Sequence, residues 1–218
     1  MDAAIPMEEP RRPSVAEEIA NAVSHGVGLL AALAAIPFLI SSAVARGKPA
    51  GVVGASVFSA TVVLLYLTST LYHALPAPRA KRVFRMLDHA AIFLLIAGTY
   101  TPFTLGVLSG AWGWTLFGLV WGIAVVGVVL ETLGNFRFPK LSVGLYVAMG
   151  WLIVVAIKPM WSLMSGWGLF WLTAGGVAYT GGVAFYTAKR MPHHHLVWHL
   201  FVIAGTACHT IAVARYAA

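Results

Sequence analysis

Apolar residues dominate seven runs along this chain, and short stretches rich in proline, glycine or charge separate them. The runs cover Ala20–Val44, Val52–Leu75, Val83–Val107, Trp112–Thr132, Lys140–Ile157, Trp167–Ala188 and Leu196–Tyr216. Each approaches the roughly 20 residues that a helix needs to cross a hydrocarbon core of about 30 Å. The fifth is the shortest. Connections such as Arg46-Gly47-Lys48-Pro49, Pro76-Ala77-Pro78-Arg79 and Met191-Pro192 stop one helix and start the next. The pattern predicts an all-α integral membrane protein, a seven-transmembrane-helix bundle over residues 20–218. Residues 1–19 form a polar N-terminal segment. Within that segment, Ser14 and Glu17 have capping-box spacing, so the first helix is expected to start in the interface. The alternative is an unstructured polar tail up to about Ala20.

Composition supports the pattern. Hydrophobic residues make up 60% of the 218 residues and charged ones 10%, and the mean hydropathy is +0.84. A soluble domain of this size cannot bury that much apolar surface, whereas a bilayer can. The net charge of +7 raises the question of nucleic acid. The basic residues, however, lie singly or in small groups between apolar runs, as in membrane loops. One side of the predicted bundle holds Arg11, Arg12, Arg79, Lys81, Arg82, Arg85, Arg137, Lys140, Lys189 and Arg190; the other holds Arg46, Lys48, Lys158 and Arg215. This asymmetry predicts a cytoplasmic N-terminus and an outer C-terminus. Trp112, Trp114, Trp161 and Trp167 fall where an outer aromatic belt is expected. The single cysteine, Cys208, excludes an intrachain disulfide and a cysteine-based metal cluster. The acidic residues ahead of the first run, and the length of that run, argue against a signal peptide.

Orientation changes the picture by bringing polar residues to one end. Ser69 and His73 share a helix face at the end of the second run, Asp88 lies near the start of the third, and His195 and His199 open the seventh. Ionisable groups are costly in this medium and usually face a cavity or one another. Neutral imidazoles are common zinc ligands, and three protein ligands leave a position open for water, as in catalytic zinc sites. Zinc would lower the pKa of that water towards about 7, with Asp88 as base and Ser69 as orienting group. The plainer reading is of histidines bonded to headgroups or backbone, and of a serine bonded to its own helix. Glu17, Asn21 and His25 form a stripe on the first helix that suits a supporting network or a proton relay. His209 lies roughly 15 Å deeper than His199, so it cannot share an ion with it. A hydrogen bond to a neighbouring helix or a place in a proton path is expected there. His193 and His194 read as loop residues, with metal ligation the alternative, and His89 points away from Asp88 towards headgroups or another helix. Glu131 reads as an interfacial charge beside Arg137. Gly118 and Gly122 read as a close helix contact, and Thr99, Thr101 and Pro102 as a kink.

The segments Glu17…Asn21…His25-Gly26, Ser69-Thr70-Leu71-Tyr72-His73, Asp88-His89-Ala90-Ala91-Ile92, Gly98-Thr99-Tyr100-Thr101-Pro102 and His195-Leu196-Val197-Trp198-His199, followed by His209, together resemble the hemolysin III family. That family belongs to the progestin and adipoQ receptor superfamily, which includes the adiponectin receptors. The resemblance covers essentially the whole chain. It implies a seven-helix fold with an intracellular N-terminus and a zinc ion held by three histidines, mapping to His73, His195 and His199, with Asp88 and Ser69 lining the metal. The superfamily's wider grouping with alkaline ceramidases implies hydrolysis of a lipid amide or ester, with membrane lipid as substrate or ligand. The alternatives are a membrane-homeostasis regulator or sensor with structural zinc, and a pore-forming haemolysin. The long N-terminal domain of the receptors has no counterpart here, which weakens any transfer of hormone binding.

Overall fold

A computed structural model describes residues 13–133 and 139–217. Arg11, Arg12 and Arg137, counted in the charge asymmetry, lie outside the described residues. Among the described residues the fold is all-helical, with seven helical rods: α1 (Val15–Ala45), α2 (Pro49–Ala74), α3 (Pro78–Leu108), α4 (Gly110–Leu133), α5 (Pro139–Leu163), α6 (Gly166–Thr187) and α7 (His194–Tyr216). Six of them, all but α6, are long and apolar enough to cross a membrane. The glycines and threonines of α6 lower its hydropathy, although its 22 residues are sufficient in length.

The boundaries have local causes. Ser14 caps α1 in a complete capping box: its hydroxyl accepts from Glu17 N–H, and its own N–H donates to the Glu17 carboxylate. The helix therefore begins five residues before the expected start of the first apolar run. Pro49 and Pro78 stand in the first turns of α2 and α3, where a missing N–H costs nothing. Gly47, at φ +74°, makes the tight turn out of α1.

Two helices are irregular at mid-bundle. Beyond Pro102, α3 widens into a π-helical turn over Phe103–Leu108. There Thr101 and Thr104 donate to carbonyls one turn back, and Thr101 also accepts from Trp121 Nε1 at 3.1 Å. In α5 a 3-10 segment, Leu152–Ala156, interrupts the α-helix. Tyr100 repairs the break: its hydroxyl donates to Gly150 O and accepts from Ile153 N–H, at 2.9 and 2.8 Å. The fifth rod consequently continues to Leu163, past the expected end at Ile157.

Buried side chains concentrate on α2, α3 and the inner face of α7, while large apolar residues such as Val23, Leu30, Val126 and Phe170 are exposed around the periphery. An apolar perimeter of this kind suits lipid rather than water. Packing between α2 and α3 is close because of glycine: a Cβ on Gly54 would strike the Pro102 backbone, and one on Gly98 would strike Thr61. Gly118 and Gly122 differ from expectation. A Cβ on either would meet nothing within 4 Å, so they pack against no other part of the described chain.

The rods alternate in direction. The start of α1, the end of α2, the starts of α3 and α5, the ends of α4 and α6, and the start of α7 share one end of the bundle. Contacts there tie Glu18 to His73 and Lys81, Glu17 to His193, Tyr146 to the His89 carbonyl, and His194 to the Phe185 carbonyl. At the opposite end, Ser42 and Arg46 both donate to Ala214 O, joining α1 to α7. Trp112, Trp114, Trp161 and Trp167 are all exposed at that opposite end.

Candidate metal centre

His195 and His199 lie one turn apart at the start of α7 and meet His73 from the last turn of α2. Ring centroids are 4.7 Å apart for His195–His199, 5.0 Å for His73–His195 and 5.1 Å for His73–His199. One nitrogen from each ring lies within 4.8 Å of the other two, close enough for all three to hold a metal ion.

Hydrogen bonding fixes two of the three tautomers. His73 Nδ1 lies 2.8 Å from Glu18 Oε2, so Nδ1–H donates to the carboxylate. His199 Nδ1 lies 3.2 Å from Asn21 O and 3.0 Å from Ser24 Oγ. A carbonyl oxygen can only accept, so here too Nδ1 carries the proton. In both rings Nδ1 is engaged, which leaves Nε2 as the atom available to a metal. His73 Nε2 and His195 Nε2 are buried and have no hydrogen-bond partner.

These are not isolated orphans. Eight buried side-chain atoms lack a partner among the described residues, and six of them belong to this cluster: Asn21 Oδ1, both nitrogens of His25, Ser69 Oγ, His73 Nε2 and His195 Nε2. Native proteins seldom leave buried polar atoms unpaired, so such a concentration argues for an ion or ordered water among them. Ser69 is fully buried and lies beside the buried carboxyl of Asp88 on α3. A vestibule of about 100 Å³, lined by Glu17, Glu18, Tyr72, His73, Lys189 and His195 among others, leads to the cluster from the end of the bundle.

The α1 stripe supports this cluster in three ways. Glu17 Oε1 accepts from the backbone N–H of His193 at 3.0 Å, holding that residue at φ +54° in the left-handed region at the start of α7. Asn21 contributes its carbonyl to His199. His25 stacks on His199 with centroids 3.5 Å apart and planes 9° from parallel, and meets Tyr66 edge-on. His209 stands apart from the cluster, with Nε2 3.1 Å from Leu172 O on α6.

Sequence reasoning missed Glu18 and Ser24. Glu18 bridges His73 and Lys81, with its carboxylate 2.9 Å from Lys81 Nζ. Its offset from the Glu17–Asn21–His25 stripe concealed it, because nothing local shows that a residue 55 positions away will meet it. Ser24 precedes His25 and so also falls outside the stripe. Glu131, near the end of α4, is only 4% exposed and lies 3.6 Å from His89 Nδ1, linking α3 to α4; Arg137, its expected neighbour, lies outside the described residues. His194 is not a solvated loop residue, since it lies half-buried against the end of α6.

Comparison with known proteins places this arrangement in context. A sequence model of the family described as Haemolysin-III related matches residues 14–210. Hemolysin-3 of Bacillus cereus is 44% identical over 202 residues, spanning 93% of this chain and 92% of the relative. The Hemolysin-3 homolog of Bacillus subtilis (strain 168) is 42% identical over 203 residues, with 93% and 95% covered. The human monocyte to macrophage differentiation factor is more distant, at 25% identity over 218 residues, with 94% and 86% covered.

Proposed function

The chain belongs to the haemolysin-III related family of multi-pass membrane proteins, and from that premise we propose that it is a zinc-dependent hydrolase of a lipid amide or ester. The observation that carries this reading is the meeting of three imidazoles whose ligand atoms lie within 4.8 Å of one another. In two of these rings Nδ1 is already hydrogen-bonded, which leaves Nε2 to face the ion. The donor set fits zinc: three neutral nitrogens, a carboxylate behind one ring and a carbonyl behind another.

His73, His195 and His199 would hold the ion. When bound, zinc supplies Lewis acidity that polarises a carbonyl and acidifies water. Asp88 takes the proton of the attacking water and returns it to the departing amine or alcohol, so that a free fatty acid and a neutral leaving group result. Ser69 orients that water or donates to the oxygen that gains charge. Glu18, Asn21 and Ser24 fix the imidazole tautomers. His25, stacked on His199, limits how far that ring can turn.

A lipid substrate is supported by a second cavity. An apolar chamber of about 90 Å³ lies between α3, α5, α6 and α7. At one end it is lined by Leu65, Ile92 and Trp198, each one turn along its helix from Ser69, Asp88 or His195. An acyl chain lying there would present its carbonyl to the cluster, while the leaving group faces the vestibule.

The bundle in this reading crosses the membrane seven times, with the N-terminus and the metal centre on the cytoplasmic side. Support comes from the alternating directions of the seven rods, the excess of lysine and arginine near the centre, and the tryptophans at the other end. On this reading α6 crosses the bilayer beside α7 despite its glycines.

The test is to incubate purified protein with membrane lipid extract and measure fatty acid release by mass spectrometry. Release that stops on zinc chelation and in Asp88→Asn is expected. Equal release with and without zinc, or none from any extract, would refute hydrolysis.

A further inference from the structure

His209 has no role in the chemistry above, yet it is a buried imidazole in the middle of the bundle. Its Nε2 lies 3.1 Å from Leu172 O. Since a carbonyl can only accept, Nε2 carries the proton. A charged imidazole at this depth, with no counter-ion, is too costly, so the ring is neutral and Nδ1 is a bare acceptor. That atom is buried and has no partner.

The imidazole lines two adjoining apolar cavities, of about 90 and 70 Å³, which share Thr99, Tyr100, Gly150, Trp151 and Gly176 as common walls. Together they run from about one helical turn short of the metal centre towards the opposite end of the bundle. Most of their other polar groups are engaged. Thr99 donates to Leu95 O, Tyr100 to Gly150 O and Thr180 to Gly176 O, while Tyr179 pairs with Thr206. Among the described residues, His209 alone of the lining side chains offers a buried polar atom without a partner. The position of the ring is built in by Gly175, where any Cβ would collide with the imidazole.

An ordered buried water usually has about three partners, and these largely apolar walls offer a water on Nδ1 few besides the imidazole. A hydroxyl carried on a substrate chain has only one proton to place, on Nδ1, and the chain itself holds it there. The ten residues from His199 to His209 span about 15 Å of helix. An extended chain of tetrahedral atoms advances about 1.2 Å per bond, which gives about twelve bonds over that distance.

We propose that His209 is a specificity-determining residue for a hydroxylated acyl chain, its Nδ1 accepting a hydrogen bond from an O–H at mid-chain. This rests on the reading that the chamber takes the acyl chain of a lipid whose carbonyl reaches His73, His195 and His199.

The test uses purified full-length protein in detergent and measures displacement of radiolabelled octadecanoic acid. The competitors are unlabelled octadecanoic acid and its isomers hydroxylated near the carboxyl, at mid-chain and near the methyl end. The mid-chain isomer is expected to bind about five- to tenfold more tightly than the parent acid, the size of one buried hydrogen bond. The other two isomers should bind no better than the parent. His209→Leu should remove the preference while octadecanoic acid still binds. Because the isomer series is read on the unaltered protein, a poorly folded variant does not decide the result. Equal binding of all four acids would overturn the role of His209, with water on Nδ1 as its explanation, and would leave the lipid chamber intact. Specific binding of none of them would overturn the chamber reading and this inference together.

Discussion

Glu18 acts through its neighbour. By accepting from His73 Nδ1 and pairing with Lys81, it keeps the imidazole in one tautomer and one orientation. Such supporting partners typically contribute 10–100-fold to metal affinity. Glu18→Gln should therefore weaken zinc binding by about that factor in a competitive chelator titration, with the helix content by circular dichroism unchanged. An unchanged affinity would show that the carboxylate only anchors Lys81. At this scale the sequence was informative wherever partners share a helix, as His195 with His199 or Ser69 with His73. It was silent on Glu18 and Ser24, whose partners are 55 and 175 residues away. Residue type also failed to show that Asn21 would serve the site through its backbone carbonyl, and that His25 would serve by stacking.

Helix existence followed from the apolar runs, but close contacts and irregularities depended on tertiary partners. Gly118 and Gly122 have the spacing of a packing motif, yet Gly54 and Gly98 are where helices approach. Gly54→Ala should therefore push α2 off Pro102 and lower stability by roughly 1–3 kcal/mol, the usual cost of overpacking. Gly118→Ala, with nothing within 4 Å, should leave the thermal midpoint in detergent unchanged or slightly raised, because alanine is the better helix former. Equal losses in both variants would place an unseen partner against α4. The break in α5 was hidden for a similar reason. Tyr100, some fifty residues earlier, satisfies the backbone there, and no local pattern marks the 3-10 segment. In α3, by contrast, Pro102 marked the place of the irregularity, although its π-helical form was not readable.

At the scale of the molecule, composition and spacing were enough for an all-helical membrane protein, because an apolar fraction of 60% leaves few alternatives in a chain this short. The number of crossings is harder to read, since the glycines of α6 reduce its hydropathy while letting it pack tightly on α7, as at Gly182 against Trp198. Orientation can be tested directly. In a Cys208→Ala background, a cysteine replacing Lys189 should react with a membrane-impermeant maleimide only after cells are opened, and one replacing Trp161 should react in intact cells. The reverse pattern would invert the bundle and move the metal centre to the outside. Whether the three histidines hold a metal is decided by elemental analysis of the purified protein. About one zinc per chain is expected, lost in the His73→Ala, His195→Ala double variant while that variant keeps its helix content. Full zinc retained by the double variant would contradict a histidine-held metal.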